Sequence, residues 1–208
     1  MQIKLSSTNI VVLAKNHNPA IASADWLKSE VIFEEKAINS TNTSVFSFFE
    51  SETFLLTVTP EHLQVALKNP IESSVPKLQK SVCTYIKALP HTPFIAVGLN
   101  YIWTFGFDTQ ENASIFLKNL FIVDDNKIKT SLGKNNYQAG GILVFEDEIF
   151  QVKLLVEIVK QSPENVSCNF NYHADVKNSQ DVLQAISVFQ CKNVESKQIV
   201  SHLFDIIA

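Results

Sequence analysis

The chain contains no arginine: its 17 basic residues are all lysine, set against 21 acidic ones for a net charge of -4. Arginine's planar fork is the usual reader of phosphate and guanine, and clustered positive charge supplies the affinity for any polyanion. An acidic, arginine-free chain with no basic cluster is a poor candidate for nucleic-acid binding or for docking on an anionic membrane. The abundance of Asn and Lys fits an AT-rich coding sequence, which accounts for the missing arginine without reference to function. Glycine is scarce at 5 residues and proline at 7, fewer than a sandwich or propeller of many tight turns calls for. The cysteines Cys83, Cys168 and Cys191 are widely spaced and form no CxxC pair, so buried free thiols in a reducing compartment are expected. No stretch approaches the ~18 apolar residues of a membrane span. Met1 to Leu13 alternates polar and apolar residues instead of running from a charged start into an apolar block. No signal peptide is therefore expected, and the expected location is the cytoplasm. Asn39, Asn42, Asn112 and Asn165 each open an N-x-Ser/Thr triplet; without a secretion signal these read as chance matches.

What is present is core material. Hydrophobic residues make up 46% of the 208 residues and charged ones 18%, with 15 phenylalanines leading the aromatics. That excludes disorder and allows one large domain or two small ones. The β-branched run Asn9–Ala14 reads as a strand. Pro19 opens a segment with Ala20, Ala24, Leu27 and Val31 at helical spacing, since proline suits a first turn. A short strand is expected near Val31 to Lys36, and a loop at Asn39–Ser44. Phe46 and Phe48, then Phe54, Leu56 and Val58, alternate with polar residues about Glu50-Ser51-Glu52, the pattern of a hairpin with one buried face. Leu63, Val65 and Leu67 share the face of a further strand. Ser73 or Ser74 is placed to cap a helix in which Val75, Leu78, Val82, Tyr85, Ile86 and Leu89 recur every three or four residues.

Phe94 to Phe107 is a long apolar stretch without helical period and reads as a largely buried strand. Thr109 is a helix cap with Ile115, Phe116 and Leu120 on the apolar side. Asp124-Asp125-Asn126 reads as a turn. Strands follow at Gly140 to Phe145, Ile149 to Val159 and Val166 to Val176. Helices follow at Val182, Ile186 and Phe189 after Ser179, and at Ile199, Leu203, Ile206 and Ile207. The expected fold class is α+β: a large twisted antiparallel sheet with helices packed on one face.

The element order repeats. Trp26-Leu27-Lys28 matches Phe116-Leu117-Lys118, and Phe49 to Phe54 (FESETF) matches Phe145 to Phe150 (FEDEIF), at equivalent points of the order. The expectation is two halves, 1–92 and 93–208, each β-α-β(3–4)-α, within one compact domain. This order resembles the duplicated saddle of the TATA-box-binding protein family. The resemblance implies two sheet-and-helix halves joined through edge strands, which removes open edges. It is one of topology, and no nucleic-acid-binding motif accompanies it.

Candidate site residues lie on two strands. Asn100-Tyr101-Ile102-Trp103 and Asn171-Tyr172-His173-Ala174-Asp175 each carry an Asn-Tyr pair. On a strand, Asn171, His173 and Asp175 share one face. A same-face His/Asp pair can orient an imidazole as a base or offer metal ligands. The plainer interpretation is a wet sheet face with polar residues at alternate positions. Asn100 beside Asn171 would frame a small polar pocket. Tyr101, Trp103, Phe105 and Phe107 form an aromatic row: core if helices cover it, an interface if they do not. His17 and His91, near prolines, read as solvated, and the acidic tips at Glu50, Glu52, Glu146, Asp147 and Glu148 as solvated turns. Gly140-Gly141 lacks the following helix of a phosphate loop and reads as a bulge or close packing. No G-x-S-x-G, histidine pair or cofactor motif occurs, so no cofactor and no metal are expected. The expected role is non-enzymatic binding or assembly, with a protein partner or a second copy meeting an open sheet face. The alternative is a small-ligand binder or enzyme at Asn100, Asn171, His173 and Asp175.

Overall fold

In the computed structural model, which describes residues 3–205, nine antiparallel strands form one sheet. The strands are β1 (Ile3–Ala14), β2 (Asn39–Asn42), β3 (Ser47–Glu50), β4 (Phe54–Val58), β5 (His62–Leu67), β6 (Phe94–Gly106), β7 (Gly141–Asp147), β8 (Phe150–Ile158) and β9 (Asn165–Asp175). The helices are α1 (Ala24–Ser29), α2 (Val75–Ala88), α3 (Gln110–Phe121), α4 (Asp125–Leu132), α5 (Ser179–Ser187) and α6 (Phe189–Asp205). The strand order is β2-β3-β4-β5-β1-β6-β9-β8-β7. The class is α+β, as the two periodicities require. Among the described residues no helix is long and apolar enough to cross a membrane. Ile206 and Ile207, expected in the last helix, and Met1, at the start of the expected alternation, lie outside the described residues.

The helices share one side of the sheet. Tyr101 donates its hydroxyl to the Phe189 carbonyl at 2.6 Å, and Trp103 its indole N–H to Ser196 at 2.9 Å, both in α6. On the same face Phe105 meets Phe116 of α3 edge-on, and Phe49 stacks on Phe33 from the chain after α1. Strict alternation follows in β4, β5, β8 and β9, where every second residue is buried. α2 buries Val75, Leu78, Val82, Tyr85 and Ile86, the stripe its spacing announces. Cys168 lies in this layer, and burial pushes its thiol up to about 12, so it packs as a small hydrophobe.

Several expectations are corrected. The helix after Pro19 is a single 3-10 turn at Pro19–Ile21 followed by the short α1, because Ser23 caps a fresh start by accepting from the Trp26 N–H. No strand forms at 31–36. Val31 takes a φ of 55°, and the turn sends the adjacent Ile32 and Phe33 into the core together, which a strand cannot do. The expected loop at Asn39–Ser44 contains β2, whose polar residues gain strand structure by completing the edge of β3. In the hairpin the buried pair is Ser47 and Phe49, not Phe46 and Phe48: Ser47 donates to the Ala22 carbonyl while Phe46 stays 38% exposed.

Ser74 precedes α2 without capping it through its side chain, since a 3-10 turn at Glu72–Ser74 leads straight into the helix. Asp124-Asp125-Asn126 begins α4, with Asp124 accepting from the Lys127 N–H. Ile115 faces solvent, and Ala113, Phe116 and Leu117 fill the core side of α3. Cys191 is exposed rather than buried. His17 is buried: its Nε2 meets the Val12 carbonyl at 3.1 Å and its ring lies edge-on to Phe94. Asp147 is not a solvated tip but pairs at 2.6 Å with Lys192 of α6, whose side chain is only 7% exposed. Gly141 is a close-packing position, since a Cβ there would lie 2.2 Å from the Phe121 ring.

Candidate functional site

The face away from the helices carries the residues at the other parity of every strand. Cross-strand partners align Ala66, Asn9, Asn100, Asn171 and Lys153 in one row, and Gln64, Val11, Gly98, His173 and Gln151 in the next. Side chains at opposed positions stand within contact distance, so each row is a continuous strip across the sheet. A bulge between Leu5 and Ser7 adjusts β1 so that Thr8 points into the helix layer while Ser7 and Asn9 point out.

At the centre, three asparagines form an amide ladder. Asn171 donates from Nδ2 to Oδ1 of Asn100 at 2.6 Å, and Asn100 donates from Nδ2 to Oδ1 of Asn9 at 2.9 Å. Asn171 gives, Asn100 both gives and accepts, and Asn9 accepts, so the ladder is polarised along one direction across β9, β6 and β1. Gly98 sits beside it. A Cβ there would lie 3.6 Å from the amide nitrogens of both Asn100 and Asn171, so the glycine leaves a shallow dip in an otherwise filled surface. Burial lowers the pKa of His62, at the β5 end of this face.

The expected site residues divide into two groups. Asn100 and Asn171 touch, and His173 shares their face with Asp175, its Nε2 3.4 Å from Oδ1. The Asp175 side chain is 94% exposed and that of His173 43%, so this pair stands in water. Tyr101 and Trp103 lie on the opposite face, fully buried beneath α6. There they meet the condition under which the aromatic row is core. Tyr172 lies with them, edge-on to Tyr101, its hydroxyl buried and without a hydrogen-bond partner among the described residues; burial, followed by the nearby Glu195 and Asp147 charges, holds its pKa well above the ordinary value.

Asn9 and Gly98 complete the central patch, and neither stands out in the sequence. Asn9 opens an apolar strand run and Gly98 sits within another. The Asn-Tyr pattern pointed to Asn100 and Asn171, but recruiting Asn9 requires knowing that β1 is the neighbour of β6. Clefts lie elsewhere. One of about 770 Å³ runs along α3 and is lined by Thr109, Glu111, Lys118 and Tyr137 among others. At its side Lys129, Tyr137 and Lys118 hold Asp125 down to about 2. A second, of about 480 Å³, is lined by Leu13, Lys15, Glu61, His62 and Ile95. Among the described residues no group of three or more His, Cys, Asp or Glu side chains is placed to hold a metal ion. No family model and no curated protein matches the chain.

Proposed function

We propose that the protein is a non-enzymatic binding module whose uncovered sheet face receives another protein. The observation that carries this reading is the distribution of charge on that face. On β5, β1, β6 and β9 the side chains are Gln64, Ala66, Ser7, Asn9, Val11, Gly98, Asn100, Ile102, Asn169, Asn171 and their neighbours. These form a centre without formal charge that mixes hydrogen-bonding groups with aliphatic ones. Charged side chains within the strands of this face, Lys4 and Lys153 against Glu50, Glu146, Glu157 and Asp175, lie on outer strands or strand ends. A charge-depleted centre inside a charged rim is the anatomy of a protein interface.

Size agrees with this. Eight inter-strand steps of about 4.8 Å and four rows of about 6.6 Å each give a face of roughly 1,000 Å², enough for the ~800 Å² per partner of an ordinary complex. The acidic balance of the rim speaks against a nucleic acid. A small-ligand site at Asn100, Asn171, His173 and Asp175 is less favoured, because the His/Asp pair is open to solvent and ligand sites are usually concave.

The reading includes a duplicated architecture of halves 1–92 and 93–208. In its support, each half runs outward from the central β1–β6 pair with its last strand, β5 or β9, beside its first. Leu27 and Leu117 are both buried in the helix after the first strand, and Phe54 and Phe150 both begin the second strand of a hairpin.

A photo-cross-linking amino acid at Asn169, on the uncovered face, or at Gln184, on the helix layer, tests the binding surface in cells of the source organism. A discrete protein adduct is expected at 169, weakened by Asn171→Lys, and none at 184. Equal labelling at both positions, or no discrete adduct at 169, would overturn the reading.

A further inference from the structure

The two edges of the sheet are built differently. β2 is four residues long and reads Asn-Ser-Thr-Asn, all exposed. Short polar edge strands are a common protection against unwanted pairing. β7 is seven residues long and reads Gly-Ile-Leu-Val-Phe-Glu-Asp. Ile142, Leu143 and Val144 are 55%, 42% and 61% exposed. β7 pairs only with β8 among the described residues, so every second N–H and C=O of its other side is free. It has no lysine, no proline and no bulge, the usual devices that blunt an edge.

We propose that the free edge of β7 is a homodimer interface, in which β7 pairs antiparallel with β7 of a second copy about a two-fold axis at Leu143. The strand is self-complementary in that register. Leu143 meets Leu143 of the second copy on the helix side. On the uncovered side Ile142 meets Val144, and the two-fold repeats the pair to make a four-residue aliphatic cluster. Phe145 stands opposite Gly141 of the second copy, where the Phe121 ring of that copy fills the place of the missing side chain and offers an aromatic surface. Glu146 falls opposite Gly140, so no side chain opposes its carboxylate.

Charge selects the antiparallel arrangement of the two copies. The acids Glu146, Asp147 and Glu148 all lie at one end of the strand. A parallel pairing would place them beside their own copies, and like charges directly opposed are destabilising. The antiparallel one puts each acidic end against a neutral, glycine-bearing end. A two-fold axis perpendicular to the sheet keeps both helix layers on one side and joins the two uncovered faces into one surface. This assembly does not depend on what the uncovered face binds.

Sedimentation equilibrium of the full chain over a range of concentrations tests it. A monomer–dimer equilibrium is expected, with Val144→Lys weakening the dimer about tenfold or more and Ile115→Lys, on exposed α3 surface, leaving it unchanged. A second measurement removes any doubt about folding of the lysine variant. In a Cys191→Ser background, Leu143→Cys should form a disulfide-linked dimer under mild oxidation, since opposed Cα atoms of an antiparallel pair lie about 4.5–5.5 Å apart. Val123→Cys, fully exposed, should not. A chain that stays monomeric throughout overturns the proposal. So does a dimer indifferent to Val144→Lys but broken by Asn171→Lys, which would move self-association to the uncovered face.

Discussion

Along β6, Leu99, Tyr101, Trp103 and Phe105 alternate with Gly98, Asn100, Ile102 and Thr104, and the first set is buried while most of the second is half-exposed. On the covered face of β6 the polar atoms of the large side chains are committed: Tyr101 and Trp103 both spend their donors on α6. On the uncovered face the asparagines bond mainly to one another, and the remaining donors and acceptors of the ladder face outward. The same backbone therefore presents one surface whose polar groups specify how the helices seat, and another whose polar groups are available. Removing a side chain from the first opens a cavity; removing one from the second exposes surface that is already wet.

Trp103→Ala should separate the faces most sharply. It deletes a fully buried indole and its bond to Ser196, and should cost about 3–5 kcal/mol in urea denaturation. A loss below about 1 kcal/mol would mean that α6 is not seated on this face as described.

His17 should give a smaller, pH-graded effect. Burial, then the neighbouring His62, lowers its pKa below 6.5 against the opposing hydrogen bond to Val12. The folded state thus holds the ring neutral, and the unfolded chain takes up the proton first. Stability should be fully present above pH 6.5 and decline as pH falls from there to the lowered native value. His17→Gln should flatten the dependence of the denaturation midpoint between pH 7.5 and 5.5; an unchanged slope would put His17 in contact with water.

Asn171→Ala should matter least for stability, about 0.5 kcal/mol, because Asn100 keeps access to solvent and to Asn9. The same variant should still weaken partner capture at the uncovered face. A stability loss equal to that of Trp103→Ala would show that both faces are core and would break the comparison.

The elements with the cleanest period were legible before any coordinates. The buried alternation of β5 and β9, the stripe of α2 and the long β6 follow from where apolar residues recur, because a strand or helix must hide one side. Legibility ended where neighbours decide. Asn39–Asn42 has no strand propensity of its own and is a strand because β3 offers an edge. Phe46 and Phe48 look more apolar than Ser47 and Phe49, yet the second pair is buried, since Ser47 finds the Ala22 carbonyl and Phe49 finds Phe33. Val31 turns through a left-handed φ that no β-branched residue favours by itself.

The candidate site shows the same division. Same-face placement of Asn171, His173 and Asp175 follows from the two-residue repeat of a strand, and so does the pairing of Tyr101 with Trp103 on a common face. Which face met helices was open to either answer, because period two separates the sets without saying which one is covered. Tertiary packing settled it. Bringing β1, β6 and β9 side by side assembled the Asn9–Asn100–Asn171 ladder from residues 91 and 71 positions apart, and laying α6 across β6 buried the aromatics. Local sequence fixes direction along a strand, whereas contact across strands depends on long-range pairing that no single segment encodes.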